Sequence, residues 1–287
     1  MKTFAVIDIG SNSVRLMFVA DGKVLYKDLE TTRLGEGLAN RPYLKAEAIE
    51  RTAQAVSRFY ARASAEGAER ICVFATAAVR SSENGNAFCE RVARLCGASV
   101  HVVSGDEEAE LGILGALKNN DGAIIDIGGA STEIIARKGG EIIYQRSINV
   151  GVVRLFDLCG RDLTALQAFC VAAVKEFGQV PFGADVYAIG GTATSVAAFV
   201  LGQKQYDGKQ VTGFRIGENQ LAETVQALAQ ISVEELVQNS CVPFKRAEVL
   251  LGGAVWLQTI VKELGINELI ASDADNLEGY AIKYRLL

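Results

Sequence analysis

The sequence predicts an α/β protein built from two related domains. The stretch AVIDIGSNSVRLMFVADGKVLYK (residues 5–27) aligns without a gap on AIIDIGGASTEIIARKGGEIIYQ (residues 123–145) at an offset of 118. In both places three strands come first, and helices then alternate with strands, as in two separate α/β domains. The seam falls at the polar segment KNND, which predicts domains of residues 1–118 and 119–287, with the last helix able to pack back on the first domain.

The first domain begins with three strands joined by short turns. Apolar runs predict the strands, and Asp21-Gly22 between the second and third is a strong hairpin signal. Apolar residues at helical spacing then alternate with further strands. The predicted elements are strands 3–8, 13–20 and 23–29, helix 45–66, strand 70–76, helix 86–96, strand 99–104 and helix 107–117.

The second domain repeats this order and extends it. Ligands of such sheets bind beyond the carboxyl ends of the strands. With two domains, we expect the site in an interdomain cleft. The predicted elements are strands 122–127, 131–137 and 140–149, helix 163–177, strand 186–190, helices 193–201, 218–229 and 244–264, strand 268–272 and a last helix from 276.

Composition narrows the class of function. The formal net charge is −5 and no Lys/Arg-rich run occurs, which argues against a duplex nucleic-acid partner. Six cysteines without a CxxC pair and one histidine give little support to a Cys/His zinc site. The most apolar stretch, residues 186–202, is interrupted by Gly, Thr and Ser, so we expect a buried strand-turn-helix there and no membrane segment. No signal peptide precedes the first strand, so a cytoplasmic protein with reduced thiols is expected.

The repeated hairpin has the composition of a phosphate-binding turn. Asp8 and Asp126 each end a buried strand, and the glycine and small polar residues that follow offer amides and hydroxyls to phosphate oxygens. A carboxylate repels phosphate, so the aspartates are expected to act through a cation or water, and Mg²⁺ favours carboxylate and phosphate oxygens. The alternative is a pair of ordinary hairpins with Asp-capped turns. Two gapless copies, each opening a domain, favour phosphate binding.

A third glycine turn, IGGTATS (189–195), follows a strand and opens a helix, where backbone amides attract anions. We predict that Gly190, Gly191 and Thr192 bind phosphate, and the alternative is simple packing between strand and helix. Neither G-x-x-x-x-G-K-[ST] nor G-x-G-x-x-G occurs, so a P-loop or a Rossmann cofactor site is unsupported.

These three turns resemble the two phosphate loops and the nucleotide-loop equivalent of the actin/sugar-kinase/heat-shock-chaperone superfamily. The resemblance narrows to the exopolyphosphatase/guanosine pentaphosphate phosphatase family, in a short form without an extra C-terminal helical region. It implies two ribonuclease-H-like (actin-like) domains, release of terminal phosphate from polyphosphate or guanosine pentaphosphate, and a homodimer. The segments that carry it are ATAAVRSSENG (75–85), VVSGDEEAELG (102–112), NVGVVRL (149–155) and KRAEVLLGGA (245–254).

The segment VVSGDEEAELG offers a general base. Ser104 and Glu107 fit a capping box, which gives Glu107 a structural role, and Glu110 is expected on a solvated face. Glu108 projects elsewhere from the same turn. The resemblance also implies that Glu108 activates the attacking water, so we predict it as the catalytic residue of phosphoanhydride hydrolysis.

Metal and phosphate ligands come from the two hairpins. Asp126, together with Asp8 and Glu133, is predicted to hold Mg²⁺ directly or through water. Asn12 and Thr132 could equally be turn-forming. The residues predicted to cradle phosphate are Ser11, Asn12, Ser13, Gly128, Gly129, Ser131 and Thr132.

Single arginines must supply positive charge, since no basic run exists. An arginine can grip phosphate through two parallel hydrogen bonds. The resemblance implies that Arg80 lies near the substrate, whereas Arg15 and Arg154 could equally form surface ion pairs. His101 is expected to be packed and not catalytic, and Trp256 is expected to lie in the core.

Three features depart from the family pattern. Ala130 stands where a third glycine is usual, and alanine discourages positive φ. Leu277 stands where an arginine is usual, so one positive contact is expected to be missing. Without the extra helical region, we expect a preference for short polyphosphates.

Two alternatives stay open. One is an ATP-dependent kinase of the same superfamily, although Glu107 and Glu108 at a helix start favour hydrolysis. The other is a non-catalytic regulator that binds guanosine polyphosphates or polyphosphate.

Overall fold

The computed structural model describes residues 2–183 and 185–286. These residues form two compact units. The first comprises the chain up to residue 115 together with the residues from 276 onward, and the second comprises Ala116–Asp275. The division lies three residues before the predicted seam, and the last helix belongs to the first unit.

The described residues alternate strands and helices, as expected for an α/β protein. The strands are β1 (Thr3–Ile9), β2 (Ser13–Ala20), β3 (Lys23–Thr31), β4 (Arg70–Ala75), β5 (Val100–Val102), β6 (Gly122–Ile127), β7 (Thr132–Lys138), β8 (Glu141–Ile148), β9 (Val186–Ile189), β10 (Arg215–Gly217) and β11 (Glu268–Ala271). The helices are α1 (Ala46–Ala65), α2 (Ala77–Ser81), α3 (Gly85–Cys96), α4 (Gly105–Ala116), α5 (Val152–Cys159), α6 (Leu163–Ala173), α7 (Gly190–Val200), α8 (Gly208–Val211), α9 (Glu218–Gln230), α10 (Val233–Asn239), α11 (Phe244–Glu263) and α12 (Asn276–Lys283).

The first unit is a five-stranded sheet in the order β3-β2-β1-β4-β5. Its central strand β1 pairs antiparallel with β2 and parallel with β4. Ala5, Ile7 and Ile9 pack with residues of α1 and α3, while Val6 packs on the opposite face with residues of α4 and α12. Side chains of a strand alternate between its two faces, and both faces are covered here, which explains the continuous apolar run of β1.

The second unit is a six-stranded sheet in the order β10-β11-β9-β6-β7-β8. Its longest helix, α11, is buried almost all round between Ala247 and Val261. A helix that is apolar on every side belongs in a core. Trp256 in the middle of α11 is fully buried, as the sequence predicts.

The two units repeat one hairpin down to its irregularity. The register of β2 and β3 shifts between Phe18 and Val19, and that of β7 and β8 shifts between Ala136 and Arg137, again 118 residues later. A bulge bends a strand and increases its twist, so both hairpins bend at equivalent positions. The predicted fold class, two related α/β domains, is confirmed by this topology.

The short elements differ most from the prediction. The strand expected at 99–104 covers only β5, and the helix expected at 163–177 ends with α6 and continues as a 3-10 turn, Val174–Phe177. The observed elements absent from the predicted list are α2, α5, α8, α10 and β10. Each helix spans about two turns or less and the strand three residues, which is too short for a clear hydrophobic period to emerge.

Membrane-spanning length and apolarity are found in no helix of the described ranges. The apolar stretch at 186–202 folds as β9 followed by α7. Each of the six cysteines, all within the described ranges, is a free thiol.

Candidate active site

The turn between β1 and β2 is held by its own backbone and by the segment after β3. The amide of Gly10 donates to the carbonyl of Ser13 at 3.0 Å. The carbonyl of Asn12 accepts from the amides of Thr32 and Arg33 at 3.0 and 2.9 Å. These bonds use main-chain carbonyls and fix the turn without engaging its polar side chains.

Polar side chains of this turn retain hydrogen-bonding capacity. Ser11 is buried and Ser13 is partly buried. Asn12 Oδ1 is buried and has no hydrogen-bond partner within the described ranges. A buried polar atom left unpaired costs about 1–3 kcal/mol, so the Asn12 side chain suits a position beside a polar ligand.

The turn between β6 and β7 closes in the same way. The amide of Gly128 donates to the carbonyl of Ser131 at 3.0 Å. The carbonyls of Gly128 and Gly129 accept from the amides of Val152 and Val153, at 3.0 and 2.8 Å, where α5 begins. The carbonyl side of the second turn is therefore satisfied by a helix of the same unit.

The structure explains the two residues, Ala130 and Leu277, at which the sequence departs from the family pattern. Ala130 is not among the described residues with positive φ, so the second turn does not require glycine there. Leu277 is 1% exposed and packs in a cluster with Val6 and Phe74 of the first unit. At this position the chain uses an apolar side chain for packing.

The two repeated aspartates have different partners across the strand pair. Asp8 lies opposite Arg15, whose guanidinium binds the buried Asp8 carboxylate through Nε at 3.0 Å and through Nη2. The same position of the second repeat holds Glu133, directly opposite Asp126. Like charges directly opposite each other repel. The first unit therefore balances its aspartate with an arginine, whereas the second has two neighbouring carboxylates.

These two carboxylates have the chemistry of a hard-cation site. Glu133 is 3% exposed, and its Oε1 accepts a hydrogen bond from Ser147 at 2.6 Å, which orients the carboxylate. No group of three or more His, Cys, Asp or Glu side chains with metal-binding geometry occurs in residues 2–183 and 185–286. Two carboxylates suit an ion that takes its other ligands from water and substrate phosphate.

The third glycine turn lies against Asp126. Gly190 has φ +78°, and a Cβ there would lie 2.6 Å from Asp126 Oδ1, so only glycine fits. A Cβ at Gly191 would lie 2.8 Å from Nη2 of Arg246, whose Nη1 contacts Ser195 Oγ at 3.3 Å. Arg246 was not predicted as a site residue, although it stands in the segment KRAEVLLGGA that the sequence singles out.

Two residues predicted to bind phosphate use their hydroxyls in hydrogen bonds within the second unit. Thr132 is fully buried; its hydroxyl donates to the carbonyl of Val150 and accepts from Trp256 Nε1 at 2.8 Å. Thr192 is buried and donates to the carbonyl of Ile127 at 3.1 Å. Both hydroxyls hold neighbouring segments together, so neither is carried into the site described below.

Glu108 is a buried carboxylate near the start of α4. It is 7% exposed, and its Oε2 accepts a hydrogen bond from Arg80 Nη1 at 2.7 Å. The same Arg80 nitrogen donates to the carbonyl of Val103 at 3.0 Å, which fixes the guanidinium. The structure thus brings the predicted base, Glu108, and the cation predicted to lie near the substrate, Arg80, together in the first unit.

The environment raises the pKa of Glu108 above its ordinary value of 4.5. The main cause is burial, and the negative charge of Asp8 acts in the same direction. The charge and hydrogen bond of Arg80 and a hydrogen bond with Thr76 oppose this effect. A carboxylate with a raised pKa is a better proton acceptor than an exposed glutamate.

Glu107, next to the base, joins α4 to α12. Ser104 Oγ accepts from the Glu107 amide at 3.1 Å, which is half of the predicted capping box. The Glu107 side chain does not return to Ser104; it accepts from Lys283 Nζ at 3.0 Å and from Tyr284 OH at 2.7 Å. His101 Nε2 lies 3.4 Å from the same carboxylate; the His101 side chain is 42% exposed, and its ring packs edge-on against Tyr280 and Tyr284.

Helices α4 and α12 also touch backbone to backbone. A Cβ at Gly279 would lie 1.8 Å from the carbonyl oxygen of Leu111. Lys283 reaches Glu110 Oε2 as well, at 2.8 Å. The helix that carries Glu108 is therefore held by the C-terminal segment of the chain.

A comparison with protein-family models decides the family. The model described as "Ppx/GppA phosphatase family" matches residues 19–284. The chain belongs to the Ppx/GppA phosphatase family. This confirms the resemblance seen in the sequence.

Two relatives, one of similar length and one more than twice as long, match nearly the whole of this chain. Exopolyphosphatase 2 of Mycobacterium tuberculosis is 30% identical, and the match covers 97% of each protein. A bifunctional 3-dehydroquinate synthase/phosphatase of Fusobacterium nucleatum is 28% identical over 96% of this chain and 45% of that protein.

Solved structures of Ppx/GppA proteins have the same fold. An exopolyphosphatase-like protein superposes with a TM-score of 0.90 at 25% identity, covering 99% of this chain and 100% of that one. The family member from Aquifex aeolicus superposes with a TM-score of 0.79 at 26% identity, covering 99% and 98%. The actin-like α/β class predicted from the sequence is confirmed, and this Ppx/GppA protein is a member of a family of hydrolases.

Proposed function

We propose that this Ppx/GppA protein hydrolyses a terminal phosphoanhydride, releasing phosphate from inorganic polyphosphate, from guanosine pentaphosphate, or from both. The observation that carries the proposal is Glu108, a buried carboxylate with a raised pKa that Arg80 holds at 2.7 Å. The name of the Mycobacterium tuberculosis relative, Exopolyphosphatase 2, supports polyphosphate as a substrate.

Glu108 acts as the general base. It accepts a proton from a water molecule, whose oxygen then bonds to the terminal phosphorus. The bond from that phosphorus to the bridging oxygen breaks, and the shortened chain leaves with the electron pair on that oxygen. Proton transfer by a positioned base contributes typically about 10²–10⁴-fold to such reactions. Arg80 orients the base and offers positive charge to the phosphoryl oxygens.

Each unit has turns whose donors suit phosphate contacts. In the first unit these are Ser11, Asn12 and Ser13, and the buried, unpaired Oδ1 of Asn12 supports that role. In the second unit they are Gly128, Gly129 and Ser131, with Gly190 beside Asp126 and Gly191 beside Arg246. Backbone amides and hydroxyls suit phosphate in a chain whose net charge is −5.

Asp126 and Glu133 would hold Mg²⁺, and their donor chemistry fits this ion. They lie directly opposite each other on β6 and β7, and Ser147 orients Glu133. When bound, Mg²⁺ neutralises charge on the phosphoryl oxygens. Asp8 was predicted as a third ligand, but its carboxylate is paired with Arg15, so we leave it out of the proposed metal site.

Phosphate release from a panel of substrates tests the proposal. Tripolyphosphate, long-chain polyphosphate, guanosine pentaphosphate and ATP are each incubated with the protein, with Mg²⁺ or with EDTA. We expect Mg²⁺-dependent release from at least one of the first three. Binding without release would favour the regulator, and consumption of ATP with transfer to an acceptor would favour the kinase. The preference for short chains, the homodimer and the cytoplasmic location stay predictions.

A further inference from the structure

Arg154 stands in the first turn of a helix that begins on the second phosphate turn. Its amide lies 3.3 Å from the carbonyl of Gly129, one residue along from the bonds made by Val152 and Val153. A Cβ at Gly151 would lie 2.5 Å from the carbonyl carbon of Gly129, so the two backbones are in direct contact. The main chain of Arg154 is therefore fixed relative to this turn.

One donor of the Arg154 guanidinium, the buried Nε, has no acceptor within the described residues. The first turn of α5 contains no acidic residue. A cation is unfavourable at a helix N-terminus, which attracts anions, and a buried donor without an acceptor adds a second unfavourable contribution. A bound anion would remove both.

The direction of the side chain also favours an anion at the turn. Cα–Cβ bonds in an α-helix tilt toward its N-terminus, and the N-terminus of α5 is the end that contacts Gly128 and Gly129. The amides of Val152 and Val153 are already used by those two carbonyls. The guanidinium is thus a donor at this end of the helix that these backbone hydrogen bonds do not use.

We infer that Arg154 is a substrate-binding residue whose guanidinium donates hydrogen bonds to a non-bridging oxygen of a phosphate held at the second turn. The inference rests on the proposed function in one respect: the anion is a phosphate of the substrate chain. It adds to that function a positive group on the second unit.

Three variants test the inference. Arg154→Gln removes the charge, Arg154→Lys keeps the charge but loses the forked geometry, and Arg137→Gln is the matched control. Arg137 lies on β7 of the same unit and donates to the backbone carbonyl of Asn120, so its replacement also removes one positive charge from this unit. The readouts are kcat and KM for tripolyphosphate at several salt concentrations, and the melting temperature of the ligand-free protein.

For Arg154→Gln we expect KM to rise by about tenfold or more, because charge-assisted hydrogen bonds to phosphate are strong. The dependence of KM on salt should also become weaker. The melting temperature of the ligand-free variant should equal or exceed that of the wild type, since a cation near a helix N-terminus is removed. The KM of Arg154→Lys should lie between those of the wild type and Arg154→Gln, and Arg137→Gln should keep the wild-type KM.

A wild-type KM in Arg154→Gln, or a lower melting temperature with KM unchanged, would overturn the inference and give Arg154 a structural role. If Arg154→Gln does not fold, Arg154→Lys decides in the same way. If the wild type releases no phosphate, the proposed function fails separately. Thermal stabilisation by tripolyphosphate then decides: stabilisation of the wild type but not of Arg154→Gln supports the phosphate contact, and equal or no stabilisation contradicts it.

Discussion

Arg80 Nη1 lies 2.7 Å from Glu108 Oε2, and this hydrogen bond joins a cation that lowers the pKa of Glu108 to a carboxylate whose pKa is raised by burial. Two opposing effects act on one proton. Burial and Asp8 raise the pKa of Glu108, and they outweigh Arg80 and Thr76. The balance keeps the carboxylate basic while Arg80 limits the rise.

Replacing Arg80 with glutamine should shift this balance. The pKa of Glu108 should rise further, because the charge and the hydrogen bond of Arg80 are both lost. The acid limb of the pH–rate profile should move to higher pH, and kcat/KM at neutral pH should fall by about tenfold or more. The kcat/KM of Arg80→Lys should fall by less. The control Arg91→Gln, which breaks an exposed ion pair with Glu50, should keep the wild-type kcat/KM. An acid limb that does not move in Arg80→Gln would contradict this account.

The raised pKa of Glu108 also predicts how stability depends on pH. The folded state holds the Glu108 proton more tightly than the unfolded state, so stability from this group is present below the ordinary value of 4.5 and is lost as pH rises through the folded pKa. Glu108→Gln cannot ionise and avoids this loss. Its melting temperature should exceed that of the wild type at about pH 8, and the difference should shrink at about pH 4.

Thermal melts at both pH values measure this effect. Glu110→Gln serves as the control, because Glu110 lies on the same helix but is exposed and contacts Lys283. A Glu108→Gln protein less stable than the wild type at the higher pH would show that the Arg80 pairing outweighs burial.

Glu133 and Asp126 predict the metal dependence. Glu133→Gln removes one of two neighbouring carboxylates, so the Mg²⁺ concentration for half-maximal activity should rise by about 10- to 100-fold. Ser147→Ala, which releases the orienting hydrogen bond, should give a smaller rise. Mg²⁺ titration of phosphate release checks both, with Glu141→Gln on the exposed neighbouring strand as control. Unchanged Mg²⁺ dependence in Glu133→Gln would exclude this carboxylate as a ligand.

The close contact between Gly279 and Leu111 predicts that helix α12 holds helix α4, which carries Glu108, in place. A Cβ at position 279 would overlap the Leu111 carbonyl, so Gly279→Ala must separate α4 from α12. Crowding of a packed core costs up to about 3 kcal/mol in the free energy of unfolding. Denaturant unfolding measures the loss, and kcat of the folded enzyme should fall as α4 moves.

Gly105→Ala is the matched control for this pair. Gly105 lies on the same helix, a Cβ there meets no atom within 4 Å, and its φ is not positive. This variant should keep its stability within about 1 kcal/mol, since alanine is the better helix former. If Gly279→Ala were as stable as Gly105→Ala, the close backbone contact would be excluded.

The sequence predicts those parts of the site that depend on local order. The repeat predicts both turns and the strand pairs that flank them. The capping pattern that begins at Ser104 predicts different roles for Glu107 and Glu108 from the sequence alone. Contacts between distant segments could not be predicted. Trp256 donates a hydrogen bond to Thr132, 124 residues away in sequence. This bond occupies the hydroxyl of a threonine whose place in the turn had suggested phosphate binding.

The same limit explains the metal prediction. Asp8 and Asp126 are equivalent in the repeat, and both read as ligands. The difference arises across the strand pair, where Arg15 faces one aspartate and Glu133 faces the other. Strand register links these partners, and a repeat taken as two similar loops does not distinguish them.

The role of Glu108 is tested most directly by phosphate release from tripolyphosphate by Glu108→Gln, measured beside calorimetric binding of the same substrate. The account predicts that binding persists while kcat falls by about 10²-fold or more, with Glu110→Gln retaining activity. Release by Glu108→Gln at close to the wild-type rate would contradict the assignment of Glu108 as the base.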